Sequence, residues 1–229
     1  MLKQWLDGPV LYSFSQSRLA QFAAAVALLM ICGALFAPWL APLNPFDLAS
    51  LDLNDSLLPP AWAAQGQGKY VLGTDDQGRD VLSTILYGSR ISLLVGFSSV
   101  LLAMFLGVGL GLLSGFLGGR LDAIIMRIAD VQLSFPAILI ALLIDGVARV
   151  VFADQGHGDQ MAILVLIGSI SLANWVSYAR TVRGSTLVEK NKEYVQAARV
   201  IGVPAIAIMI KHVLPNVMGP VLVIATINI

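Results

Sequence analysis

Residues 194–215 read YVQAARVIGVPAIAIMIKHVLP, a polar island between two long apolar runs, and its placement decides how the rest of the chain is arranged. A helix is expected from about Glu193, because Ala197, Ala198, Ile201, Ala205 and Ile208 recur every three or four residues and make one small, apolar face. Lys192, Gln196 and Arg199 lie outside that series. Gly202 interrupts where a glycine costs about 1 kcal/mol against alanine, and Pro204 reinforces the break. Two short helices at an angle are therefore expected, with Lys211 and His212 at the far end before Leu214 and Pro215 lead into the next apolar run. By composition alone such an element lies on a lipid surface as an interfacial amphipathic helix.

The surroundings are oily. Of 229 residues 57% are apolar and only 12% charged, which is too apolar for a water-soluble domain of this length and predicts an integral membrane protein. The formal net charge is zero, so nothing points to a nucleic-acid partner. Cys32 is single, which rules out an internal disulfide.

Five apolar runs are long enough, or begin long enough, to cross a bilayer of ~20 helical residues. The first, about 19–40, exceeds the core of a cleavable signal and is taken as a retained span following a short segment, 1–18. A polar stretch follows over 41–90, rich in turn formers such as Asn44-Pro45 and Pro59-Pro60. Within it Thr74 and Gln77 have capping-box spacing, and Val81, Leu82, Ile85 and Leu86 predict a short amphipathic surface helix ending near Gly88. The acids Asp75, Asp76 and Asp80 lack the alternation of a calcium loop and suit a capped helix start better. Further spans are expected over about 91–116, with Gly107, Gly111 and Gly115 as a close-packing ridge, then 123–144 and 161–182. A fifth begins near Val213 and has not reached ~20 residues by Ile229, so residues further on or a partner are expected to complete it.

Charge orients this arrangement. With the N-terminus in the cytoplasm, Lys3, Arg18, Arg120, Arg180, Arg183, Lys190, Lys192, Arg199 and Lys211 fall inside, while Asp47, Asp52, Asp55, Asp75, Asp76, Asp80, Asp154 and Asp159 fall outside. The island, within the loop 183–212, is thereby expected in the cytoplasm.

Catalytic signatures are missing. Gly68-Lys69 lacks the rest of a phosphate-binding loop, His157 and His212 fall on opposite sides of the membrane, and no serine stands in a nucleophile elbow. No catalytic or metal residue is assigned. Charged and polar groups inside spans are better candidates for a path or gate. Arg127 and Asp130 have the spacing of a pair on one helix face, either structural or lining a path, and Pro136 should kink the same helix. Asn174, Trp175, Tyr178 and Arg180 gather toward the cytoplasmic end of the fourth span, where an interfacial belt would place aromatic residues.

The island's spacing resembles the EAA loop of ABC importer permeases: Ala197-Ala198, then Gly202, then Leu214-Pro215, with Gln196 at the glutamate position and His212 at the isoleucine position. A second likeness is more specific. Leu72-Gly73-Thr74-Asp75, Gly78-Arg79-Asp80-Val81 and Tyr87-Gly88 are similar to the segment before the second span in dipeptide and oligopeptide permeases. Together these imply an all-α, polytopic helical bundle of the MetI-like permease kind, in the bacterial inner membrane, whose C-terminal part lies beyond Ile229. The resemblance also implies that Gln196, Ala197, Ala198, Arg199, Gly202, His212, Leu214 and Pro215 couple the chain to an ATP-hydrolysing subunit. Implied partners are a second, homologous permease subunit, two ATP-binding subunits holding ATP and magnesium, an extracytoplasmic binding protein and the bilayer. This chain itself would bind no cofactor and be no enzyme. The implied cargo is a short peptide; a nickel complex or glutathione is the alternative within the class. An ATP-independent secondary transporter or channel would instead need paired ionisable groups near the midplane or matching broken helices, and a third possibility is a scaffold with no path.

Overall fold

The computed structural model describes residues 9–47, 52–151 and 158–228; Lys3, Asp154, His157 and Ile229 lie outside them, as does the side chain of Asp159. All regular structure among the described residues is helical apart from one isolated antiparallel bridge, Thr74 to Asp80. Four helices are long and apolar enough to cross a membrane, Arg18–Leu35, Val81–Leu117, Gln160–Glu189 and Ala205–Asn228, and a bent pair over 119–148 makes a fifth if taken as one span. The all-α, polytopic expectation is borne out.

Contacts divide the chain into two units, the first ending at Leu94. Its first helices are α1 (Pro9–Gln16) and α2 (Arg18–Leu35), the latter capped by Ser17, whose hydroxyl accepts from the Ala20 N–H at 3.2 Å. The expected span to residue 40 is corrected: α2 stops at Leu35, and Ala37–Leu40 forms a separate turn, α3. Pro38 has no N–H to continue the ladder, so the helix restarts with proline in its first turn.

The 52–80 stretch folds on itself. Tyr70 is fully buried and donates to Asp55 Oδ2 at 2.7 Å. Thr74 accepts from the Leu58 N–H at 2.8 Å and donates to the Asp55 carbonyl. Its hydroxyl is thus committed to the loop, and the capping box expected at Thr74 is not formed. Asp80 caps instead, accepting at Oδ2 from the Ser83 N–H at 2.8 Å. Helix α4 then runs without interruption over Val81–Leu117, 37 residues, so the short surface helix and the second span are one element. Gly88 does not end it, since the ~1 kcal/mol a mid-helix glycine costs is small against the continuous ladder around it.

The second unit is built around α7 (Gly158–Glu189), longer than the expected fourth span. Gly107, Gly111 and Gly115 of α4 form the close-packing ridge foreseen. A Cβ at Gly107 would lie 2.5 Å from the Trp175 carbonyl oxygen, and one at Gly111 would lie 2.4 Å from that of Ala179. Two buried clusters radiate from α7: Tyr178 and Val182 join Val100, Leu112 and Phe116 of α4 with Val213, Val217 and Val221, while Trp175, Val176 and Ala179 meet Ile125 and Ala129.

The third span is corrected. It is not one kinked helix but two, α5 (Gly119–Leu133) and α6 (Ala137–Val151), bent by 93°. Pro136 lacks an N–H and disfavours helical geometry at Phe135, and its carbonyl accepts from Leu139 N at 2.9 Å to start the new helix. The fifth helix is corrected as well. It begins at Ala205, not near Val213, as α9 (Ala205–Ile208), one π-turn (Met209–Val213) and α10 (Leu214–Asn228). The Leu214 N–H bonds back to the Met209 carbonyl, and this wider turn absorbs the missing donor and bulky ring of Pro215.

Candidate functional site

Between α7 and α9 stands an elbow made by α8 (Glu193–Val200) and the turn at Gly202. Gly202 has φ +87°, the left-handed geometry that only glycine adopts without strain. The Val203 N–H bonds to the Ala198 carbonyl at 3.0 Å, and Pro204 then caps α9. The expected helix, break and second helix are therefore present. The expected face is not. Val195, Ala198 and Ile208 point into the core, whereas Ala197, Ile201 and Ala205 are exposed, because the left-handed turn resets the helical phase between α8 and α9. Val200 and Ile201 are 87% and 80% exposed, and Ile206 is 70% exposed, an apolar ridge beside the exposed Gln196 and Arg199.

The elbow is tied to three helices. Tyr194 donates its hydroxyl to Glu189 Oε1 at the end of α7 and accepts from Asn216 Nδ2 of α10 at 3.0 Å. Burial, with the adjacent Glu189 carboxylate, pushes the Tyr194 hydroxyl above the ordinary tyrosine range, so it keeps its proton. Lys192 pairs with Glu189 at 2.9 Å. The Arg199 guanidinium lies over the Phe116 ring of α4, 5.2 Å from its centroid, and Lys190 donates to the Gly115 carbonyl at 2.7 Å. Gln196 makes only a 3.3 Å bond to the Lys190 carbonyl. His212 is half-buried with its carbonyl accepting from Asn216 at 2.7 Å, Leu214 packs on the core, and Pro215 is exposed. Sequence reasoning gave Tyr194, Glu189 and Asn216 no part in a common joint; their only signal was a tyrosine opening the island and an asparagine just past it.

The path candidates are distributed differently from expectation. Asp130 pairs with Arg180 of α7, not with Arg127. The face of α5 turned to α7 carries Asp122, Ile125, Ala129 and Gln132, and Arg127 stands away from it, exposed and in no ion pair with any described residue. Asp122 takes a two-point bond from Arg183, 2.5 and 2.7 Å, and accepts from Ser114. Trp175 and Tyr178 are not an interfacial belt. Both are buried, Trp175 donating to Gln132 Oε1 at 2.8 Å and Tyr178 accepting from Asn228 Nδ2 at 3.1 Å. Asn174 is half-buried and donates to the Ile170 carbonyl of its own helix at 3.0 Å. Pro136 sits at the 93° break.

Residues 107–229, more than half of the chain, match the family described as "Binding-protein-dependent transport system inner membrane component". The chain belongs to that family. Residues 8–60 of the permease also match the description "N-terminal TM domain of oligopeptide transport permease C". It is 37% identical over 217 residues to the di/tripeptide transport system permease protein DppC of Pseudomonas aeruginosa, covering 94% of this chain and 67% of that one. To the dipeptide transport system permease protein DppC of Haemophilus influenzae it is 37% identical, covering 95% and 69%. To the oligopeptide transport system permease protein OppC of Bacillus subtilis it is 32% identical, covering 100% and 68%. The resemblance to dipeptide and oligopeptide permeases is thus borne out, and with the apolar helices it makes the permease a multi-pass inner-membrane protein that works with other subunits of a transport system.

Proposed function

We propose that the permease is a membrane-spanning subunit of an ATP-driven importer of short peptides, with its N-terminus in the cytoplasm. The observation that carries the mechanism is the exposed apolar ridge of Val200, Ile201 and Ile206 on an elbow fastened to α4, α7 and α10. Exposed apolar surface facing the cytoplasm is stabilised by a partner. That partner is one of two ATP-binding subunits, which hold the ATP and magnesium, and Gln196 to Gly202 together with His212 to Pro215 form the coupling segment. Closure of those subunits around ATP displaces the elbow, and its ties to three helices pass the displacement into the membrane. A second, homologous permease subunit completes the path, and an extracytoplasmic binding protein delivers the peptide.

Arg127, Asp130, Asn174 and Tyr178 belong to the path side of this reading, and the break at Pro136 is where the path is gated. An ATP-independent carrier or channel is not favoured, since the family is a binding-protein-dependent one. The test uses the complete transporter in proteoliposomes. Ile201→Glu and Ile206→Glu alter only exposed positions of the ridge, and each should abolish peptide uptake while detaching the ATP-binding subunits or freeing their ATP hydrolysis from substrate control. Unchanged uptake and unchanged stimulation of hydrolysis in both variants would remove the elbow from the mechanism.

A further inference from the structure

One side of α4 and the segment from the π-turn into α10 form an open groove of about 860 Å³. Leu101, Phe105 and Leu113 stand on one wall and Ile210, Leu214 and Met218 on the other, and no polar side chain lines it. At ~1.5 Å per residue the wall from Leu101 to Leu113 is about 18 Å long, close to half of the ~30 Å hydrocarbon core and so to the depth of one leaflet. The groove is also unfilled in its middle, since a Cβ at Gly109 would meet nothing within 4 Å.

Charge marks one end of it. Lys190 donates to the Gly115 carbonyl, so Leu113 is at the elbow end of the α4 wall, and Ile210 is the residue of the opposite wall nearest the elbow. The Arg199 guanidinium lies over the ring of Phe116, one turn beyond Leu113 on the same side of α4. Lys211 follows Ile210 directly. Both cations are exposed, and neither is ion-paired with any described residue.

We infer that the groove and these two cations together hold one anionic phospholipid of the leaflet on the elbow's side. One acyl chain lies along α4, and the phosphate meets Arg199 and Lys211. A helix of another protein would fill the apolar part and leave the cations without an anion. A soluble anion would satisfy the cations and leave the groove bare. A molecule with an apolar tail and a negative head meets both demands, as basic pockets at the ends of spans do with lipid headgroups. The site needs only that α4 and α10 lie in a bilayer and is independent of peptide import and of ATP coupling.

The test uses the complete transporter in proteoliposomes containing phosphatidylglycerol or phosphatidylcholine with a photoreactive acyl chain, and maps the attachment sites by mass spectrometry of peptides. Phosphatidylglycerol should label residues 101–113 and 210–218 in preference to phosphatidylcholine. Arg199→Gln and Lys211→Gln should each lower that labelling about fivefold, the effect of one basic residue beside an anionic surface, while Arg199→Lys keeps most of it. Gly109→Phe, which fills the groove, should remove labelling by both lipids. Lys211→Gln, at an exposed position outside the elbow's ties, decides the matter if Arg199→Gln does not assemble. Equal labelling by the two lipids, or labelling undiminished in Lys211→Gln, overturns the site. So does an unlabelled groove, which assigns it to protein, and so does loss of labelling in excess inorganic phosphate, which assigns the cations to a soluble anion.

Discussion

Asn216 donates from its side-chain amide to the Tyr194 hydroxyl at 3.0 Å, so the first turn of α10 is bound to the first turn of the elbow. Tyr194 in turn donates to Glu189 on α7. One hydroxyl thereby joins α7, α8 and α10.

Tyr194→Phe keeps the ring and removes that joint. Buried Glu189 loses a donor and exposed Asn216 an acceptor, which should lower stability by about 1 kcal/mol. Thermal unfolding in detergent checks it. On the proposed coupling, peptide uptake should fall further than ATP hydrolysis, because the docking ridge is untouched while its attachment to the spans is weakened. Combined with Asn216→Ala the loss should be less than additive, since both changes delete one network.

The glycine ridge separates close approach from mere flexibility. Gly111→Val places a side chain where a Cβ alone would stand 2.4 Å from the Ala179 carbonyl oxygen and 2.9 Å from Val182 Cβ, so α4 and α7 must part. A loss of about 2–3 kcal/mol is expected, at the upper end for overpacking. Gly109→Ala, two residues away with nothing within 4 Å, should instead stabilise by up to about 1 kcal/mol through helix propensity. The opposite signs of the two shifts in unfolding temperature are the check.

Arg183 holds Asp122 at two points, 2.5 and 2.7 Å, with both side chains partly buried. Either Asp122→Ala or Arg183→Ala leaves a half-buried charge alone and should cost about 2–4 kcal/mol. The exchange Asp122→Arg with Arg183→Asp should recover part of that loss, because the two positions still face each other. A double-mutant cycle on unfolding reads the coupling.

Acid should loosen the 52–80 stretch. Burial of the Asp75 carboxyl works to raise its pKa, but bonds from the Arg79 and Gln77 N–H groups and the Arg79 guanidinium outweigh it and hold the pKa below the ordinary carboxylate value. The folded value being depressed, the stability Asp75 adds is complete above its unfolded-state pKa and is lost as pH falls through the folded one. Protection of the Gln77 and Arg79 amides against exchange, taken relative to the intrinsic rate at each pH, should fall over that interval in the wild type. In Asp75→Asn that protection should already be low at neutral pH and show no such step.

Local chemistry in the sequence located most elements and few partners. The helix from Glu193, the break at Gly202 and the glycine ridge follow from periodicity, from a missing Cβ and from proline's missing donor, all properties of neighbours along the chain. Helix ends were read less well. Thr74 and Asp80 offer equivalent capping chemistry, and only the commitment of the Thr74 hydroxyl to Asp55 and Leu58 across the loop leaves Asp80 to start α4. At the elbow the buried face was misplaced because a left-handed turn shifts helical phase by an amount no periodic count contains.

From the order of residues alone come the membrane class, the approximate place of the apolar helices, the bent island and its likeness to transport permeases, because hydrophobicity and backbone restriction act over a few residues. Only the packed molecule decided that Asp130 answers Arg180, that Trp175 and Tyr178 face inward, and that Tyr194 joins Glu189 to Asn216. A side chain's partner depends on which helix lies against it and at what rotation, and contact across 50 residues of chain, as between Asp130 and Arg180, leaves no local trace.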